Sequence, residues 1–284
     1  AAKKDEKHTQ LLALFELSLT DDSPEKLAAI QQFSMENKSV ALLYAWGKFQ
    51  EMKTLDKLAP GQEVISLGEQ NLKAFQKYKG FPISEVYSMM GISSYMLGNT
   101  KKSIYNFEKS LQYTDSRDSS GIAGLLMNLG VLNFRTGNNT KAIEAYKHAD
   151  QVNGNTDLAL KGMILENLAL SYSSYGKTQM AIDYYDRAAN MYLKVKDTAR
   201  YQALTQNKIS VYVKLNDFES ALKCARESMA FFKKTKNMQL LPSSHTRLAS
   251  IYLQLKDTVH ALKEVNEAIR LSKDNNMFVY VSAV

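Results

Sequence analysis

The sequence is poor in the residues that staple, kink or span. Its one cysteine, Cys224, excludes a disulfide within the chain and leaves the redox compartment open. Only four prolines are present, so long helices can run uninterrupted. The best apolar run, Val40-Ala41-Leu42-Leu43-Tyr44-Ala45-Trp46, falls far short of the ~20 residues that cross a bilayer. The opening stretch Ala1-Ala2-Lys3-Lys4-Asp5-Glu6-Lys7 is too polar for a signal peptide, although a removed signal leaves the same sequence, and the compartment stays open. The four histidines, His8, His148, His245 and His260, have no metal-ligand spacing such as HExxH. No Gly-rich phosphate loop follows a strand pattern. Carboxylate pairs such as Asp183 and Asp186 read as solvated helix surface, His148 as a surface or packing residue, and Cys224 as a small packing residue. Lys223 and Arg226 flank that thiol, a basic setting of the kind that lowers a thiol pKa. The net charge of +7 comes from scattered lysines and short clusters such as Lys233-Lys234-Thr235-Lys236, a pattern of solvated surface rather than a nucleic-acid face. The sequence therefore predicts no enzyme, no metal and no cofactor.

What is present is a repeat. The pairs Met90-Gly91, Leu129-Gly130, Leu168-Ala169, Lys208-Ile209 and Leu248-Ala249 recur at steps of 39, 39, 40 and 40 residues. Three residues after each second member stand Ser94, Asn133, Tyr172, Tyr212 and Tyr252. After seven come the turn formers Gly98, Gly137, Gly176, Asn216 and Lys256. A second half follows in register. Ser103, Ala142, Ala181, Ala221 and Ala261 are small, and Phe107, Tyr146, Tyr185, Ala225 and Val265 stand four residues on.

Spacings of three, four and seven keep side chains on one face of a helix. Small residues let two helices approach, and glycine accepts the left-handed conformation that closes a helix. Each unit therefore predicts two antiparallel helices, which must stack on neighbours to bury their apolar faces. The unit around Ile209 departs most, with Lys208 and Ala225 at larger apolar places, and reads as a specialised joint.

The stretch Leu126-x-x-Leu129-Gly130, Gly137, Ala142, Tyr146, Ala149 resembles the tetratricopeptide repeat family. The resemblance covers about residues 84–272 and implies an all-α fold, a right-handed α-solenoid of stacked helix hairpins. Its units are longer than the family's common 34 residues and lack the closing proline. In this they are similar to kinesin light chain and bacterial signalling members. The expected organisation is one array over 1–284. A degenerate capping hairpin occupies 1–37, a degenerate repeat 38–80, five clear repeats 84–272, and a further or capping helix starts over 273–284. In the first hairpin Leu11, Leu12, Phe15 and Leu19 predict a helix, and Ser23-Pro24-Glu25 predicts the cap of the next. Leu43-x-x-Trp46-Gly47 opens another unit whose partner helix is expected over Gln62–Phe75. At the other end the apolar stretch Asn276–Val281 suggests that the protein continues or is capped there.

Asn128, Asn167 and Asn207 stand two residues before the second member of each pair, on successive first helices. An amide carries donors and an acceptor and can bond the main chain of any extended peptide. By resemblance to kinesin light chain, asparagines at this place contact peptide; alternatively they bond the neighbouring repeat. Met89 and Arg247 break the row. Around it the groove-facing candidates are Ile92, Tyr95, Met96, Met127, Val131, Phe134, Arg135, Met163, Glu166 and Leu170, and several can equally belong to the core. The family's carboxylate clamp is not supported, since its places hold Glu85, Ser88, Gly124 and Met127.

The expected function is a non-catalytic scaffold that binds a protein or peptide segment in its groove, with self-association as a further expectation. The alternative is a ligand-responsive sensory or regulatory domain of a bacterial signalling protein, its output domain outside this chain. The linkers Lys196-Asp197-Thr198-Ala199-Arg200 and Lys236-Asn237-Met238 carry that flavour.

Overall fold

The computed structural model describes residues 2–75 and 80–274. It comprises two compact units, Ala1–Val152 and Asn153–Val284. The first holds α1 (Ala2–Ser18), α2 (Pro24–Glu36), α3 (Ala41–Leu58), α4 (Gln62–Phe75), α5 (Ile83–Met96), α6 (Thr100–Tyr113), α7 (Ser119–Arg135) and α8 (Asn139–Asn153), which ends at the boundary. The second holds α9 (Leu158–Ser174), α10 (Thr178–Lys194), α11 (Thr198–Lys214), α12 (Phe218–Lys234), a short 3-10 turn at Met238–Leu240, α13 (Leu241–Gln254) and α14 (Thr258–Asp274). Among the described residues there is no strand. Within each unit consecutive helices pack in chain order as antiparallel hairpins.

The hairpin turns follow from the repeated turn residues. Gly98, Gly137 and Gly176 adopt φ of 75°, 81° and 74°, and Asn216 and Lys256 adopt 56° and 61°. At each, the next N–H reaches back to the residue three after the small position: Asn138 N to Asn133 O at 2.8 Å, Asp217 N to Tyr212 O at 3.0 Å. Those bonds satisfy carbonyls that the helix end leaves open. Three of the helices that follow are capped by short polar side chains: Asn99 Oδ1 accepts from Lys102 N at 3.1 Å, Asp217 Oδ1 from Ser220 N at 3.0 Å and Asp257 Oδ1 from His260 N at 3.1 Å. The linkers at Lys196 and Lys236 are turns of the same kind, with φ of 58° and 55°.

Close approach explains the small residues. A Cβ on Gly130 would lie 2.5 Å from the ring of Tyr146, and one on Gly91 would lie 2.8 Å from Phe107. The buried Tyr146 thus fills the space that Gly130 leaves open.

At the N-terminus Ser23 caps α2 as its sequence suggests, its Oγ accepting from Lys26 N at 3.1 Å. In α1, however, Leu14 is the buried residue while Phe15 is 60% exposed, with Leu12 and Leu19 also exposed. Trp46 and Phe49 on α3, Phe75 on α4 and Phe81 just before α5 form an aromatic cluster, with Phe75 and Phe81 stacked at 3.7 Å. The apolar tail Asn276–Val281 and the side chain of His8 lie outside the described residues.

Candidate functional site

In the first unit, α5 and α7 are the first helices of adjacent repeats, and a cleft of about 240 Å³ opens between them. Ile92, Tyr95 and Met96 line it from α5, Asn128 and Val131 from α7, with Phe107 and Leu132 at its base. Phe107 and Leu132 are buried, whereas Ile92 and Met96 are exposed large apolar side chains. Arg135 lies over the Tyr95 ring with its guanidinium 5.0 Å from the centroid, and donates to the Tyr95 hydroxyl. That contact joins two candidates on neighbouring repeats, Tyr95 in the cleft and the exposed Arg135 beside it. The result is an apolar slot with a single amide, Asn128, inside it. Phe134 is half-buried on the same helix, and Met127 is buried.

The second unit treats the corresponding face differently. Glu166 on α9 is partly buried, and its Oε2 accepts from the Tyr192 hydroxyl at 2.6 Å. Asn207 on α11 donates to Glu166 Oε1 at 3.4 Å. Burial raises the Glu166 pKa above the ordinary carboxylate value; the Tyr192 bond, the nearby Arg200 and the Asn207 bond act against that rise. Tyr185 stands close enough that burial and then the Glu166 charge raise its pKa, and its buried hydroxyl has no hydrogen-bond partner. Asn167 turns back on its own helix, Nδ2 donating to Met163 O at 3.0 Å. Leu170, one turn on from Glu166, is half-buried. Between α11 and α13, Gln202 Nε2 donates to Ser243 Oγ at 2.8 Å, and Arg247 Nη2 donates to Gln206 Oε1 at 3.0 Å.

The structure therefore brings Tyr95, Asn128, Val131 and Arg135 together in one place. Glu166 and Asn207 form a separate cluster in the second unit. The partners missed by sequence reading share a signal: Tyr95–Arg135, Glu166–Asn207 and Gln206–Arg247 are separated by 40, 41 and 41 residues. One repeat length divides each pair, so scanning polar residues at that offset would have found them.

Cys224 is buried, and burial pushes its thiol up to about 11, outweighing the effect of nearby Lys208. Lys208 itself pairs with Asp186. Asp183 and His148 are exposed. His245 meets Glu264 at 2.6 Å, and His260 meets Asp257 at 2.6 Å. Among the described residues no group of three His, Cys, Asp or Glu could hold a metal ion. Nor is any described helix long and apolar enough to cross a membrane.

Family models described as tetratricopeptide repeat match residues 121–194 and 242–275. Tetratricopeptide repeats thus occupy these two stretches of the chain. Solved structures of the same all-α solenoid class agree. BtubC from P. vanneervenii is 18% identical at a TM-score of 0.60, over 82% of this chain and 95% of its own. A Rap protein complexed with Competence and Sporulation Factor is 15% identical at 0.54, over 95% and 77%. The nearly identical TPR-like repeats of a kinesin light chain from Podosopora anserina are 13% identical at 0.57, over 69% and 98%. At these identities the likeness concerns the fold. Among curated proteins none matches this chain.

Proposed function

We propose that this chain is a non-catalytic scaffold that holds an extended polypeptide segment against the first-helix face of its repeats. The observation that carries the reading is the α5–α7 cleft, where exposed Ile92 and Met96, together with Tyr95 and Val131, surround the amide of Asn128. Such a slot takes a bulky apolar side chain. Asn128 then bonds the main chain beside it, and Arg135 and Phe134 border the segment. Methionine repacks around different partners, which suits a scaffold.

The test begins with a displayed peptide library panned against the full chain. A selected peptide is then titrated by calorimetry. We expect enrichment of bulky apolar residues. Val131→Asp should weaken binding by about 2 kcal/mol or more, because a carboxylate would be desolvated in the slot. Asn128→Ala should weaken it by about 1 kcal/mol. Failure to enrich any peptide, or unchanged affinity in both folded variants, would sink the reading.

A second reading is a ligand-responsive regulatory domain. It is motivated by the fold likeness to a Rap protein complexed with Competence and Sporulation Factor. It predicts that peptide binding changes the hydrodynamic radius of the chain, which scattering measures directly, whereas a static scaffold keeps it constant.

A further inference from the structure

The second unit carries its charge unevenly. On one edge, the linkers from α10 to α11 and from α12 to α13 hold Lys194, Lys196, Lys233, Lys234 and Lys236, all exposed. Lys194 and Lys234 stand one repeat apart, as do Lys196 and Lys236. A bond from Asn237 Nδ2 to Thr198 Oγ1 at 3.3 Å joins the two linkers side by side. None of these lysines is ion-paired among the described residues. The carboxylates nearest to them are engaged already, Asp197 with Arg200 and Glu267 with Arg270. The cap before α7, α9 and α11 is Asp118, Asp157 and Asp197. Before the 3-10 turn it is Asn237, which brings no charge and makes no side-chain cap bond. The opposite edge of the unit is balanced, with Asp217 and Asp257 beside Lys214 and Lys256. The matching linker of the first unit, from α6 to α7, holds Asp115, Arg117 and Asp118. The lysines are therefore gathered on one edge of one unit.

An open hollow of about 610 Å³ lies between the two linkers, lined by Thr198, Thr235, Lys236, Asn237, Met238 and Gln239. Its hydroxyl, amide and ammonium groups all donate, which suits phosphate oxygens. Exposed apolar side chains interleave with the lysines: Leu193, Val195 and Met238. One exposed lysine holds a free phosphate only weakly in salt. Several lysines facing a surface of many phosphates act together, at about fivefold in partitioning for each. The segments 193–200 and 233–239 contain no aromatic residue on which a nucleic-acid base would stack. We propose that this edge of the second unit docks on an anionic lipid surface. Its lysines meet headgroup phosphates, while Leu193, Val195 and Met238 enter the boundary with the acyl chains. This contact does not use the peptide slot of the first unit, so either can fail alone.

The experiment floats the full chain with phosphatidylcholine vesicles and with vesicles that also contain phosphatidylglycerol. The chain should rise with the anionic vesicles only, and less so as salt increases. Lys196→Glu combined with Lys236→Glu should lower partitioning by about tenfold or more. Lys214→Glu combined with Lys256→Glu changes the net charge equally on the opposite edge and should cost less than about threefold. Met238→Ser leaves the charge alone and should weaken binding several-fold. Circular dichroism confirms that each variant is folded; if the Lys196 and Lys236 pair is not, Lys233→Gln with Lys234→Gln carries the test, with a loss of about tenfold. Equal rise with neutral vesicles, no rise with either, equal losses from the two edges, or unaltered binding of Met238→Ser overturns the proposal. So does tighter binding of a single-stranded oligonucleotide than of the vesicles. Displacement from the vesicles by inorganic phosphate beyond that by chloride at matched ionic strength overturns it as well, and marks a site for the free ion.

Discussion

The two units build the same hairpins with different chemistry on the first-helix face. In the first unit that face is an apolar slot floored by Phe107 and Leu132, with one amide inside it. In the second it is a run of polar ties: Glu166 to Asn207, Gln206 to Arg247, Gln202 to Ser243. The turns differ as well. Gly98 and Gly137 close first-unit hairpins, while the second unit uses Lys196, Asn216, Lys236 and Lys256 at positive φ alongside Gly176. Polar ties satisfy one another and leave little exposed apolar area to gain on binding. An open slot leaves that gain available to a partner. The comparison teaches that a repeat can keep its packing positions while the face beside them is rewritten.

The largest test of this contrast concerns Gly130. The second unit carries Ala169 and Ala249 at the same register, yet a Cβ at Gly130 would press on the Tyr146 ring. Gly130→Val should therefore cost about 1–3 kcal/mol in chemical denaturation. No loss would mean that the slot's base does not depend on this approach.

Asp56 and Glu166 offer a second test. Burial holds Asp56 up to about 6, against the usual 3.8, and its Oδ1 lacks a hydrogen-bond partner. The folded chain then binds that proton more tightly than the unfolded chain. Stability should fall as pH rises from about 4 to about 6, and Asp56→Asn should restore it above that range. A gain on the order of 1 kcal/mol at pH 7, vanishing below about pH 4, is expected in thermal melts once solvent screening is discounted. Glu166→Gln should gain less, because Tyr192 and Asn207 already bond the carboxylate.

The smallest effect lies in the turns. Lys236→Gly and Lys256→Gly should each stabilise the second unit by about 0.5–1 kcal/mol, since glycine takes a left-handed cap without a Cβ penalty. Gly137→Lys should reverse the sign in the first unit. Equal melting temperatures throughout would erase the distinction between the two kinds of turn.

Most of the fold was legible because its determinants are local and repeated. Gly98, Gly137 and Gly176 announce their turns, Ser23 its cap, and the α4 limits Gln62 and Phe75 follow from apolar spacing alone. The first helix was less legible: Leu12 and Phe15 have the right spacing, but Leu14 took the buried place. A terminal helix packs on fewer neighbours, and periodicity does not say which face they meet. The candidate residues were legible as positions and not as bonds. Asn128 and Asn207 are equivalent by register, yet one lines a cleft and the other bonds Glu166. That difference depends on what stands one repeat away, at Tyr95 and Arg135 or at Glu166. Arg247 was noticed only as a break in the row.

Hydrogen exchange with and without a selected peptide tests the central claim most directly. The account predicts slowed exchange around Ile92–Met96 and Asn128–Val131, with that protection lost in Val131→Asp. Protection absent from α5 and α7, or unchanged by Val131→Asp, would contradict it.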